Sequence, residues 1–599
     1  MPTLDWIGKK KVVNHHLDVP FRVLEKKYTY SADNKSKESE NKIIHGDNLE
    51  ALKSLLPEYE GKIDCIYIDP PYNTGNTIEQ GGWAYNDNVS DPKIEKWLGE
   101  VVGKEEEDFT RHDKWLCMMY PRLKLLQKLL SENGAIFISI DDNEQTNLKF
   151  ICDEIFGKVN FVASIPWRKR TAKSDVPFGL SQDYETILCY AKTPLFKASK
   201  KGKERKYFET EDFPGKPWRY HDMTTQRTKE ERPNCFFTIE NPKTGEKYEA
   251  NPLRVWANNS ETFQQWYKEN RIIFPGDYDF LNISKPVLRY WEKDDIEKAG
   301  DEYGLTSAST YLPLDVGMTQ DGTKEITEIF GEKVFNFPKP SSLIEHLLNI
   351  AVGTKPNAIV LDSFAGSGTT GHAVMRMNKK DGGKRKFILI EMMDYAETIT
   401  AERIKRIISG YSYTGSEEIE IYNKKLNINN ISEVQTYIDD AKSIITKNEN
   451  KWTKISKPKL VDNCIKVIAT KEYDTKKDGL GGDFSFYELG EPLLINNLLN
   501  EKVDTQTIRE YIWFTETNSK FTESKADENK YFLGNSFGAA YWFYYEKEKA
   551  TTLDIDFLST IKGKYEQYII YADICLIPQE LLQKNNIIFK KIPRDIKKF

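Results

Sequence analysis

Two short apolar runs, Cys65-Ile66-Tyr67-Ile68 and Ala358-Ile359-Val360-Leu361, each end in a chemically loaded turn, although they lie far apart in the chain. The first opens into Asp69-Pro70-Pro71-Tyr72, and the second passes Asp362 into Phe364-Ala365-Gly366-Ser367-Gly368-Thr369-Thr370. Runs this short and apolar read as buried strands, and open α/β sheets bind ligands in the loops beyond the carboxyl ends of such strands. The two turns therefore read as halves of one split site.

Two prolines after an acid hold the backbone near polyproline geometry and bias Asp69 toward an extended conformation. A turn so stiffened presents a carboxylate, peptide carbonyls and the Tyr72 ring in one orientation, which suits a planar substrate that is stacked and hydrogen-bonded along an edge. Taken alone, the tetrad is also what a strand exit with a turn-forming pair looks like. The glycine turn is not a phosphate-cradling P-loop, because Gly368 is followed by Thr369 and Thr370 with no lysine. What remains is a nucleoside-type turn, with the further apolar run Phe387-Ile388-Leu389-Ile390 ending in Glu391. An acid at the tip of the next strand is placed to accept hydrogen bonds from ribose hydroxyls.

Around these turns the chain alternates strand-like and helical stretches. The expected architecture is α/β, a doubly wound and mostly parallel sheet, with one inserted domain and a separate C-terminal α+β domain. The expected boundaries are an irregular N-terminal arm over 1–40, a catalytic half over 41–192 and an inserted recognition domain over 193–332. A cofactor-binding half over 333–410, a linker with a helix over 411–454 and a C-terminal domain over 455–599 complete the chain. Within that last domain, Asp483-Phe484-Ser485-Phe486-Tyr487, Tyr511-Ile512-Trp513-Phe514 and Tyr541-Trp542-Phe543-Tyr544-Tyr545 read as strands.

The net charge of −6 over 599 residues is unusual for a protein that binds nucleic acid. The distribution answers that objection. Arg168-Lys169-Arg170 with Lys173, a second cluster from Lys197 to Lys206 that includes Lys203, and Arg219, Arg227, Lys229 and Arg232 all lie between the two turns. Trp167, Tyr207, Phe208, Trp218 and Tyr220 are interleaved with them, a pattern that suits a nucleic-acid surface on an otherwise acidic chain. Acid runs such as Glu105-Glu106-Glu107-Asp108 are expected to face elsewhere. Seven scattered cysteines without a Cys-x-x-Cys pair argue against a disulfide framework and against a zinc site, so no metal is expected. No stretch approaches the roughly 20 apolar residues that span a membrane, and the polar start reads as cytoplasmic.

Taken together, these residues resemble the beta group of amino-methylating DNA methyltransferases, in which the catalytic tetrad precedes the cofactor turn and target recognition is inserted between them. Gly46-Asp47-Asn48-Leu49-Glu50, Gly134 to Asp142 and Phe337-Pro338-Lys339-Pro340-Ser341 fit the same order. The longer form Asp69 to Gly75, with the chain's size and C-terminal extension, is similar to modification subunits of type III restriction systems.

The resemblance implies S-adenosyl-L-methionine as cofactor. Asp47, Asp362 and Glu391 would accept bonds from its amino and hydroxyl groups, Phe364, Ala365, Gly366, Ser367, Gly368 and Thr369 would approach it closely, Lys339 would meet its carboxylate, and Asp69 would lie beside its methyl group. It implies Asp69, Pro70, Pro71 and Tyr72 as the catalytic residues, a flipped adenine in double-stranded DNA as substrate, a homodimer, and a separate helicase-nuclease restriction subunit as partner. Arg168, Lys169, Arg170, Lys173, Arg219 and Arg227 are the candidate DNA contacts. A solitary adenine-N6 or cytosine-N4 methyltransferase, an enzyme acting on RNA or protein, and a non-catalytic recognition scaffold are the competing readings.

Overall fold

The structure is a computed structural model and describes residues 3–33, 37–73, 111–171, 179–202, 205–427, 430–495, 498–517, 519, 521, 529–593 and 596. Thr74, Gly75, the acid run at 105–108, Lys173 and Lys203 lie outside the described residues. The chain divides into two units, one of residues 1–198 with 309–599 and one of residues 199–308.

The first unit is built on a nine-stranded sheet. Its strands are β1 (Arg22–Ser31), β2 (Lys42–His45), β3 (Ile63–Ile68), β4 (Leu130–Ile140), β5 (Phe161–Arg168), β6 (Tyr184–Ala191), β7 (Ile359–Asp362), β8 (Lys386–Glu391) and β9 (Asp483–Pro492), in spatial order β1-β9-β2-β8-β7-β3-β4-β6-β5. From β9 to β4 the neighbours run parallel. β1 and the β5–β6 hairpin add antiparallel edges. The carboxyl ends of β2, β8, β7, β3 and β4 therefore share one edge of the sheet.

Successive strand residues point to opposite faces, and two cores result. On one face Ile66, Ile68, Ile136 and Ile138 pack with residues of α1 (Asn48–Tyr59) and α2 (Arg111–Leu129), such as Leu52, Leu56, Trp115 and Leu126. On the other, Cys65, Tyr67, Phe137, Val360 and Leu389 pack with residues of α4 (Ser341–Val352), α5 (Thr369–Asp381) and α6 (Glu402–Ser409). A further helix, α3 (Thr319–Phe330), contributes Ile329 to this second core. Both faces of the parallel strands are thus covered, which is why those strands read as apolar runs. β3 and β7 are direct neighbours, while the chain leaves them for β4 on one side and β8 on the other. This reversal of strand order is the switch point at which doubly wound sheets bind ligands.

Several expected boundaries move. The N-terminal arm contains β1, whose pairing with β9 runs from Arg22↔Pro492 to Ser31↔Asp483. β9 in turn pairs with β2, so residues 483–492 belong to the large sheet rather than to a separate C-terminal domain. The segment Tyr511 to Phe514 lies in a helix, Thr505–Thr517, because its aromatic and aliphatic residues pack a helical face into a local core with Leu493, Leu533 and Tyr541. Beyond it, the strands Phe532–Ser536, Ala539–Phe543, Gln567–Ala572 and Ile587–Lys591 form a small mixed sheet. The expected linker over 411–454 begins as a strand, Gly410–Lys425, paired antiparallel with Cys464–Asp478, and carries the helix Val434–Asn448.

The second unit is narrower than the insertion expected over 193–332. Trp218–Asp222, Val287–Trp291 and Ile272–Ile273 form its three-stranded antiparallel sheet, and Trp256, Phe263, Phe274 and Leu288 lie in its core. Arg289 is buried there, its guanidinium 4.3 Å and 4.6 Å from the Phe213 and Trp218 ring centres. No helix among the described residues is long and apolar enough to cross a membrane.

The position of β9 gives a stability prediction. Phe486 is 2% exposed and packs into the second core, so Phe486→Ala should cost about 3–5 kcal/mol in chemical denaturation. Truncation after residue 454 should remove the cooperative unfolding transition of the large sheet rather than spare it.

Candidate active site

Each strand that meets the shared edge ends in a carboxylate: Asp47 beyond β2, Glu391 on β8, Asp362 on β7, Asp69 after β3 and Asp141 after β4. A cavity of about 680 Å³ opens there, lined by Asp69, Pro70, Tyr72, Asp141, Lys339, Asp362 and the turn residues Phe364 to Ser367, with Phe335 and Phe337 among its aromatic walls. The pairing of Leu361 with Ile66 brings the tetrad and the glycine turn together.

The tetrad is anchored from below by α2, whose Trp115 indole N–H donates to the Pro71 carbonyl at 2.7 Å. Above it the charges are tightly connected. Lys339 Nζ donates to Asp69 Oδ1 and Oδ2 at 2.9 and 2.7 Å and to the Tyr72 hydroxyl at 2.8 Å. The Tyr72 hydroxyl donates to Asp69 Oδ1 at 2.8 Å and to Glu185 Oε2 at 3.1 Å. Burial would lower the Lys339 pKa, but the Asp69 and Glu185 carboxylates outweigh it, and the ammonium titrates above its ordinary value. Burial would likewise raise Glu185, yet Lys339 and Lys169 hold it below the usual carboxylate range.

The glycine turn is held at almost every residue. Asp362 accepts from Phe364 N–H at 3.0 Å and from the Thr370 hydroxyl at 2.5 Å, Glu391 Oε2 accepts from Gly366 N–H at 2.8 Å, and the Thr400 hydroxyl donates to the Gly366 carbonyl at 2.6 Å. Gly366 and Gly368 have φ of 53° and 80°, where glycine carries no steric penalty. A Cβ on Gly368 would also lie 3.1 Å from the Thr400 carbonyl oxygen. Arg403 on α6, fully buried, donates through Nη1 to the Ser367 and Thr369 hydroxyls at 2.9 Å and through Nη2 to Glu325 at 2.9 Å. Burial pushes Asp362 up to about 7 and Glu391 up to about 8.

The expected site residues separate into groups. Asp69, Pro70, Tyr72, Lys339, Asp362, Phe364, Ala365, Gly366, Ser367 and Thr369 line the cavity. Pro71 and Gly368 shape the backbone behind it. Glu391 supports the turn, and Asp47 caps α1 through Leu49 N–H at 2.7 Å. Lys339, expected at a cofactor carboxylate, is paired with Asp69.

The basic residues also divide. Lys169 and Arg170 line the cavity, while Arg168 is exposed at the end of β5. Arg219 is committed to Asp295 through bonds of 2.6 and 3.1 Å, which uses its guanidinium inside the second unit. Arg227 is exposed beside Glu231 at 3.0 Å. Sequence reasoning missed Glu185, Trp115 and Arg403, which carry no motif. The only cue for Glu185 was a lone acid entering the apolar run of β6.

A family model described as DNA methylase matches residues 63–402, from β3 into α6, and the chain belongs to that family. The Mod subunit of the type III restriction-modification enzyme StyLTI from Salmonella typhimurium is 33% identical over 410 residues, covering 64% of this chain and 57% of that protein. The EcoPI Mod subunit from Escherichia phage P1 is 33% identical over 426 residues, covering 65% and 63%. The EcoP15I Mod subunit from Escherichia coli is 29% identical over 526 residues, covering 79% and 76%. The chain thus matches less than two thirds of the length of the first two relatives.

Arg403 joins the turn to α3 from a fully buried position, so Arg403→Ala should strip two hydroxyls of their cationic donor and Glu325 of its closer guanidinium. Urea unfolding should show a loss of about 3–5 kcal/mol.

Proposed function

We propose that this chain is a site-specific DNA adenine-N6 methyltransferase that uses S-adenosylmethionine, and that it is the modification and recognition subunit of a type III restriction-modification system. The observation that carries the reading is the placement of Asp69, Pro70 and Tyr72 in the same cavity wall as the glycine turn, within a chain of the DNA methylase family. The related Mod subunits support the type III assignment, which brings with it a helicase-nuclease partner and a modification homodimer.

The residues present fit the cofactor. The turn from Phe364 to Ser367 lines the cavity, Gly366 among it puts no side chain in the way of a ligand, and Asp362 lines the wall beside them as a hydrogen-bond acceptor. When bound, the cofactor supplies an electrophilic methyl group on a sulfonium.

An exocyclic amine is a poor nucleophile because its lone pair is delocalised into the ring. The Asp69 carboxylate and the Pro70 carbonyl accept the two amine hydrogens, which draws the nitrogen toward tetrahedral geometry and frees its lone pair for in-line attack. Asp69 is also placed to take the proton shed by the methylated nitrogen. Stacking on the Tyr72 ring offsets part of the few kcal/mol needed to turn the base out of the duplex. An acid at the first tetrad position favours adenine as the target.

Incubation of the purified chain with duplex DNA and methyl-labelled cofactor, followed by nucleoside digestion, tests this directly. N6-methyladenine is expected, and Asp69→Ala should lower the rate by about 10³-fold or more. N4-methylcytosine alone would overturn the base assignment, and label entering RNA but not DNA would overturn the substrate.

The raised Asp362 carboxyl adds a pH prediction. Asp362, near 7 and in the cavity wall, is largely protonated at pH 6. Donors on the cofactor favour its ionised form, so binding lowers its pKa, releases protons, and tightens as pH rises from 6 toward 8. Calorimetry across that range should show the slope, and Asp362→Asn should flatten it.

A further inference from the structure

Lys339 occupies the place that the substrate amine needs. Its ammonium donates to both oxygens of Asp69 and to the Tyr72 hydroxyl, so a nitrogen bearing hydrogen-bond donors already sits against the catalytic carboxylate. A target amine can take up its own bonds to Asp69 only if Lys339 yields part of that contact. The ammonium is enclosed, with its side chain 10% exposed, and a buried ammonium stripped of its counter-ion is strongly disfavoured.

Glu185 supplies the alternative. It stands on β6, 9% exposed, with its carboxylate 3.5 Å from Lys339 Nζ. Lys169 holds Oε1 at 3.2 Å, leaving Oε2 toward Tyr72 and Lys339. Tyr72 already divides its hydroxyl between Asp69 and Glu185. The two acids therefore flank the Lys339 ammonium and the Tyr72 phenol, and a displacement smaller than a side-chain rotamer change carries the ammonium from one acid to the other.

Resting on the methyl-transfer reading above, we propose that Glu185 is a positioning residue for the reaction, the second counter-ion that takes over Lys339 when the target amine engages Asp69. It acts through Lys339 and Tyr72 rather than on the base itself. Lys339 thus covers Asp69 until the target amine engages it, and Glu185 makes its withdrawal possible.

The test compares Glu185→Gln, Glu185→Asp and the double variant Glu185→Gln/Lys339→Gln in single-turnover methylation of duplex DNA at saturating cofactor, with thermal unfolding and cofactor Kd measured alongside. Glu185→Gln should slow transfer roughly tenfold to a hundredfold while cofactor Kd stays near wild type. Glu185→Asp, which keeps the charge, should be faster than Glu185→Gln. The double variant, with no ammonium left to rehouse, should also be faster than Glu185→Gln alone. Wild-type rates in Glu185→Gln, equal losses in the Asp and Gln variants, or a double variant no faster than Glu185→Gln would each overturn the inference while leaving the methyltransferase reading intact. A wild-type chain that transfers no methyl to DNA would overturn both.

Discussion

The parallel pairing of β3 with β7 is the constraint on which the rest depends. Val360 lies against Cys65 and Leu361 against Ile66, and only that register places Asp69 beside Asp362 and the tetrad beside the glycine turn. Neither turn is a site by itself. One offers a stiff carboxylate with an aromatic ring, and the other offers a backbone that a ligand can approach. Because the second unit is inserted between the strands, closing this pairing is a long-range event, which slows folding more than it costs stability. The apolar side chains of both strands, buried on both faces of the sheet, drive it.

Charge distribution around the cavity follows from the same arrangement. A parallel sheet gathers all its strand ends at one edge, so single acids after several strands become a cluster. Neighbouring cations then separate their behaviour. Burial pushes Asp362 and Glu391 up despite their bonds from backbone N–H groups and a hydroxyl, whereas Glu185, also buried but next to two ammonium groups, is held down. Acids with different proton affinities in one pocket can divide the work of binding a cofactor and handling the amine's hydrogens. The overall negative charge of the chain says little about this, because the cations that matter, Lys339, Lys169 and Arg403, are placed individually.

The parts of the fold legible in the sequence are those whose physics is local. β3, β7 and β8 are continuous apolar runs because helices cover both faces, and their turns carry residues with strong backbone preferences. β9 reads from sequence as part of a separate domain because its partners, β1 and β2, lie at the other end of the chain, and nothing in Asp483 to Tyr487 announces a pairing with Lys42 to His45. Tyr511 to Phe514 looks like a strand by composition, but tertiary packing overrides that preference and winds it into a helix. At the site, Glu185 and Arg403 escaped notice for a related reason. Each is a lone charge within an apolar or amphipathic stretch, and its role exists only once Tyr72, Lys339 or Ser367 has been brought to it. Arg219 shows the reverse, a basic residue in a promising cluster whose charge is used by Asp295.

The central claim, that Asp69 and the glycine turn form one DNA amino-methylating site, is tested most directly by single-molecule sequencing of DNA from cells that express the wild-type chain or Asp69→Ala. The account predicts N6-methyladenine at one short recurring sequence with the wild-type chain and none with the variant. Unmodified DNA in both, or the same modification in both, would contradict it.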